Sequence, residues 1–173
     1  MRKLVVATTI AVGAVAIAAA LAIATRATAS PSDDLQAAKA ATARYHSVEQ
    51  AVRDGYSGAG EPCVASPDGG MGIHYVNGPL IGDGVLDPQR PEILLYAPGE
   101  DGKLTLIGAE YFKVDADQNL ATDGDRPTLF GQPFDGPMPG HNPTMPIHYD
   151  LHVWLWKDNP SGMFAPFNPA VAC

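Results

Sequence analysis

The residues with most chemistry to offer lie near the C-terminal end. The stretch MPGHNPTMPIHYDLHVWLW, residues 138–156, holds His141, His148, Asp150 and His152 together with Met138, Met145, Trp154 and Trp156. Imidazole nitrogens and carboxylate oxygens suit Zn, Fe, Mn and Cu, and three protein ligands with an open position permit metal-assisted chemistry. The repeated Met-Pro-x-His of 138–141 and 145–148 adds thioethers, which favour Cu(I). A divalent metal or a copper ion is therefore the expected cofactor. Met138, His141 and Met145 are secondary loop ligands in this reading, because gap filling is the commoner task of methionine.

Spacing decides how these groups can cooperate. From Ile147 to Trp156 the chain alternates, which predicts a strand with Ile147, Tyr149, Leu151, Val153 and Leu155 on a core face. His148, Asp150, His152, Trp154 and Trp156 then share the opposite face. A helix would set His148 and His152 one turn apart, as in H-E-x-x-H sites, but Pro146 and the branched and aromatic content favour the strand. On a strand the two histidines start ~13 Å apart and Asp150 ~6.6 Å from either, so Asp150 can share an ion with one of them and other strands must supply the rest. His74 in MGIHYVN and Glu110 in LTLIGAEYFKV are the candidates. Glu110 falls in register with Leu104, Leu106, Gly108 and Phe112, where an unpaired carboxylate is costly. The expected metal set is thus His74, Glu110, His148, Asp150 and His152. Two indoles on the histidine face need cover, which predicts a ligand cleft walled by Trp154 and Trp156 and closed by the 115–146 segment, the FAPFNPAV tail or a ligand. The alternative is a metal-free module that binds a small molecule or peptide, stapled by a disulfide.

These groups need a scaffold. Ser32, Asp33 and Asp34 read as an N-cap with acidic residues in the first turn. Leu35, Ala38, Thr42, Tyr45, Val48 and Val52 recur at three and four, predicting an amphipathic helix over 33–54 that stops at Gly55. Ser47 and Gln50 offer a capping box for a break within it. Strands are predicted at 71–77, 92–97, 104–114 and 147–156, with a hairpin loop at 98–102. Residues 115–146 carry many turn formers and little periodicity, which predicts a long loop. A helix followed by antiparallel strands gives an α+β class, with the N-terminal helix packed on a curved antiparallel sheet or open β-barrel.

Residues 1–29 read as a signal peptide: Arg2 and Lys3, an apolar run from Leu4 to Ala24, and Ala27-Thr28-Ala29 as a cleavage site. The run is also about the ~20 residues that span a bilayer, so an uncleaved anchor is the competing reading. Cleavage leaves one domain, 30–173, secreted or held at the cell envelope, with no membrane contact of its own. The whole chain has a formal charge of −8, and losing the three cations Arg2, Lys3 and Arg26 takes it to −11. That excess disfavours nucleic acid, which needs clustered Lys and Arg; a metal ion or small molecule is the expected partner, and the sequence is silent on oligomeric state. Cys63 and Cys173 are the only cysteines, and in an exported chain they are expected to pair.

Two motifs fail on inspection. GYSGAG at 55–60 has Ala59 where a nucleophile elbow needs glycine. DADQN at 115–119 starts like a calcium loop, but Leu120 replaces its turn glycine and Arg126 its bidentate Glu. GGMGIHYVN (69–77), FGQPFDGPMPGH (130–141) and HYDLHVWLW (148–156) together resemble a family of small secreted bacterial proteins that is uncharacterised. That resemblance spans most of the chain from the RYHSVEQAVRDGY helix onward; it implies export and a single domain and assigns no activity to any residue. A looser likeness to cupins stops at architecture, since their H-x-H pair is missing.

Overall fold

The computed structural model describes residues 29–58, 62–99, 101–141 and 143–173. Apart from Ala29, the expected signal peptide lies outside the described residues. The chain opens with α1 (Pro31–Thr42), a 3₁₀ turn (Ala43–His46) and α2 (Val48–Arg53). It continues through β1 (Val64–Ser66), β2 (Gly69–Val76), α3 (Gly78–Asp83), β3 (Ile93–Pro98) and β4 (Leu104–Val114). A small β5–β6 hairpin (Thr128–Leu129, Gln132–Pro133) precedes β7 (Asp135–Met138) and β8 (His148–Val153). Six strands form one antiparallel sheet in the order β1-β2-β3-β4-β8-β7, curled strongly into a half-barrel, so the α+β class holds.

Local chemistry explains where the helices start. Ser30, not Ser32, caps α1: its hydroxyl accepts the Asp33 N–H at 3.2 Å and the Asp33 carboxylate accepts the Ser30 N–H at 3.2 Å. Pro31 supplies the reason, because a proline lacking an N–H belongs at the first helical position and puts the cap one residue earlier. Ser47 caps α2 through the Gln50 N–H, but the Gln50 amide reaches Asp54 at 2.9 Å, so half of the expected box forms. The break changes the helical phase. Ala51 is buried and Val52 is 55% exposed, which corrects the placing of Val52 on the core stripe.

Both faces of the curled sheet are covered. On one, Leu94, Tyr96, Leu106, Tyr111, Tyr149, Leu151 and Val153 pack against Ala38, Tyr45 and Ala51 of the helical segment. On the other, Ile93, Leu95, Ile107, Phe112 and Trp154 pack with Val171 of the C-terminal tail. The pairing of β3 with β4 shifts register by a bulge between Leu95 and Tyr96. It sends Leu106 to the helical face while Glu110 faces away from it, correcting the expectation that the two side chains share a face.

Two further corrections concern the C-terminal half. The 115–146 segment is not a bare loop, since β7 adds an edge strand to β8 there. Pro133, Gly136 and Pro137 hid it, and prolines are tolerated at an edge where no ladder N–H is needed. Cys63 and Cys173 form the expected disulfide, and a Gly70–Asn168 bridge fastens the tail beside it. Among the described residues no helix is long and apolar enough to cross a membrane.

Candidate metal centre

Three strands bring the histidines and the glutamate together. Glu110 on β4 pairs directly with His152 on β8 and with Ile93 on β3, while His74 on β2 pairs with Leu95. Since paired residues share a face, His74 reaches the Glu110–His152 pair diagonally across β3. Gly108 lies two residues before Glu110 and permits the close approach of β4 to β8: a Cβ there would stand 2.6 Å from the Val153 carbonyl oxygen. A strand of alternating residues thus delivers His152 because it is a strand, as the spacing predicts.

The geometry is that of a convergent donor set. His74 Nε2 lies 3.1 Å and His152 Nε2 3.6 Å from Glu110 Oε2. Donor atoms of all three residues fall within 4.8 Å of one another. Bonds of ~2.0–2.2 Å in a tetrahedral arrangement place ligand atoms ~3.4 Å apart, so a small contraction closes the set around one ion. Apart from the His74 contact on Glu110 Oε2, that oxygen and both ring nitrogens of His152 are buried and make no hydrogen bond among the described residues. Leaving such groups unpaired in protein costs ~1–3 kcal/mol each, a cost that a bound cation offsets.

Protonation agrees with this role. Burial acts to raise the Glu110 carboxyl, but His152, His74 and His148 outweigh it and hold it low, at about 2. Burial depresses the His152 imidazole against the pull of Glu110. The charge that holds Glu110 ionised here is that of protonated imidazoles, and a metal ion would supply it in their place, with the imidazoles neutral and ligating.

The remaining candidates fall into separate places. His148 and Asp150 do not join the three. His148 is fully buried, stacks on Phe112 at 4.5 Å and sets Nδ1 against the Pro146 carbonyl at 3.0 Å. Asp150 lies between the two β8 histidines, with Oδ1 3.8 Å from His152 Nδ1 and Oδ2 4.0 Å from His148 Nε2. Burial, then the charges of Glu110 and Asp135, push its carboxyl up to about 8. His141 and Met145 line a cavity of about 70 Å³ against His74 and Glu110. Met138 instead lines a neighbouring cavity of about 370 Å³, with Met71, Phe167, Asp135, Asp150 and again His141.

The tryptophans part company. Trp154 is buried among Ile93, Phe112 and Val171, and its indole N–H donates to the Ala165 carbonyl at 2.7 Å, so the tail covers it. Trp156 follows the end of β8 and turns to the helical side. There it donates to Thr42 Oγ1 at 3.1 Å, meets His46 edge to face and carries Lys39 over its ring. Neither indole lines the two cavities beside the histidines, which corrects the expected cleft walls. Extending the alternation three residues past the end of the strand produced that error.

Sequence reasoning passed over Asp135 and the apolar residues Val64, Val76 and Ile93 that wall the smaller cavity. Asp135 had no readable signal, because it sits on the proline-flanked edge strand. Compared with known protein families, curated proteins and solved structures, the chain matches none.

Proposed function

We propose that the protein is an exported metal-binding protein in which His74, Glu110 and His152 hold one divalent transition-metal ion. One observation carries this reading: three donor groups from three strands converge within 4.8 Å, and the buried ring nitrogens of His152 have no hydrogen-bond partner among the described residues. Two imidazoles and one carboxylate form a borderline donor set suited to Zn, Fe, Mn or Cu(II). Three protein ligands leave a position open, which favours a catalytic centre over a closed structural one. Bound there, the ion would act as a Lewis acid and lower the pKa of a coordinated water. The cavity of about 70 Å³ beside the donors restricts the open position to small co-ligands. Within the protein, Glu110 neutralises charge, His74 and His152 orient the ion, and Val64, Val76 and Ile93 limit access of solvent. Export rests on the leader-like N-terminus and is compatible with the Cys63–Cys173 disulfide.

Elemental analysis of the protein secreted by its native host tests this. Stoichiometric metal that disappears in His74→Ala and Glu110→Gln is the expected result. Absence of metal after reconstitution with Zn²⁺, Mn²⁺, Fe²⁺ and Cu²⁺ overturns the reading.

A further inference from the structure

The buried polar groups of the site face exceed what one ion can satisfy. His148 Nε2 is buried and makes no hydrogen bond among the described residues, while the Nδ1 contact with the Pro146 carbonyl orients the ring and leaves Nε2 as the lone-pair nitrogen. It points toward Asp150 Oδ2 at 4.0 Å, and Asp150, 4% exposed, accepts no hydrogen bond among the described residues. At 4.0 Å the two atoms are too far apart to hydrogen-bond each other, whether or not Asp150 carries a proton. Both groups gain from a cation placed between them. Two further donors are near: the His141 ring centroid lies 5.8 Å from that of His148, and Asp135 is the cross-strand partner of Asp150, while donor atoms already drawn within 4.8 Å are found among the described residues only at His74, Glu110 and His152. The cavity of about 370 Å³ gives an entry path to this corner, which the smaller cavity over Glu110 does not provide.

We infer that His148 and Asp150, with His141 and Asp135, form a second divalent-metal position beside the first, making the centre a two-metal site. The inference rests on the single-ion reading above and extends it. Asp150 links the positions, because its Oδ1 faces His152 Nδ1 while its Oδ2 faces His148. The second ion is the weaker of the two, since its only fully buried carboxylate is shared in this way and His141 is an exposed loop residue.

The test is a Co²⁺ titration of the chelator-stripped full chain with its disulfide intact. It is followed by cobalt ligand-field absorption and by metal analysis after free ion is removed. The wild-type protein should take up about two ions per chain in a tight and a weaker phase. His148→Gln should weaken the second phase at least ~10-fold and leave the first within about twofold. His74→Ala should remove the first phase. His141→Ala, at an exposed position that cannot disturb the core, should also weaken the second phase, which guards against misfolding of the His148 variant. A single ion lost in His74→Ala, with His148→Gln unchanged, overturns the two-metal inference and leaves the single-ion reading intact. A second ion that survives both His148→Gln and His141→Ala is bound adventitiously by surface carboxylates and overturns it equally. No bound ion at all overturns both readings.

Discussion

The two faces of the half-barrel treat most of their buried polar side chains differently, although on the helical side Asp54 Oδ2 also lacks a hydrogen bond among the described residues and only ion-pairs with Arg44 at 3.3 Å. On the helical face the tyrosine hydroxyls close on the chain itself: Tyr56 donates to the Pro91 carbonyl at 2.7 Å, Tyr96 to Tyr45 at 2.6 Å and Tyr111 to Pro88 at 2.6 Å. On the histidine face His148 Nε2 and both nitrogens of His152 have no such partner among the described residues, and Glu110 Oε2 has only the His74 ring, at 3.1 Å. Burial is equally complete on both sides, so exposure does not explain the difference. Native interiors satisfy their polar groups almost without exception, so a face that leaves three buried nitrogens open among the described residues is where a bound ion would offset the largest cost. One face stabilises the fold, and the other holds a constellation at the expense of stability.

The comparison can be broken most directly by removing one side chain from each face in metal-free protein. Leu151→Ala, which opens a cavity on the helical face, should cost ~2–5 kcal/mol in urea unfolding. Glu110→Leu should leave the metal-free protein as stable as wild type or more so, because a buried charge is replaced by an apolar group of similar size. A Glu110→Leu loss as large as that of Leu151→Ala would make Glu110 a structural residue and end the distinction. The next effect is the ion itself. At about a hundredfold excess of Zn²⁺ over its dissociation constant, unfolding should become harder by ~2.7 kcal/mol, and Glu110→Gln should abolish the gain.

A smaller effect separates the faces by pH. Glu92 is buried beside the helical face, with Oε2 accepting the Phe112 N–H at 3.1 Å, and burial raises its carboxyl to about 7 against the pull of that hydrogen bond. A raised carboxyl binds its proton more tightly in the folded state. Its favourable contribution is therefore complete below the ordinary value near 4.5 and is lost as pH rises through about 7. The wild-type protein should lose on the order of 1–3 kcal/mol between about pH 5 and pH 8 relative to Glu92→Gln, measured by denaturant titration at each pH. An identical pH slope in the two proteins would exclude Glu92 as its source. The smallest effect sharpens the account of the tyrosines: Tyr96→Phe removes one hydrogen bond to Tyr45 and should cost ~1 kcal/mol in thermal unfolding.

Strand periodicity carried much of this molecule into view. His74, Glu110 and His152 are legible as partners because two-residue alternation and short hairpins leave few ways to place three strands. The same period misled wherever the chain departed from it. The bulge opposite Leu95 and Tyr96 moved Leu106 to the other face, and the end of β8 at Val153 freed Trp156 to turn toward α1. His148 and Asp150 looked equivalent to His152 in one dimension. Only the registry of β8 against β4, which sets His152 opposite Glu110 and Asp150 opposite Phe112, tells them apart. Asp135 was invisible because prolines and a glycine erase alternation on an edge strand.

Gly108 bears on which ions such a site would accept. With a Cβ excluded by the Val153 carbonyl, any larger residue at 108 must wedge β4 away from β8, two residues from the point where Glu110 and His152 face each other. The gap between those two ligands is therefore a property of the spine rather than of rotamers. Widening it by the radius of a methyl group would discriminate among cations by ionic size. Substitutions at this one silent position should retune metal preference while every ligand stays in place.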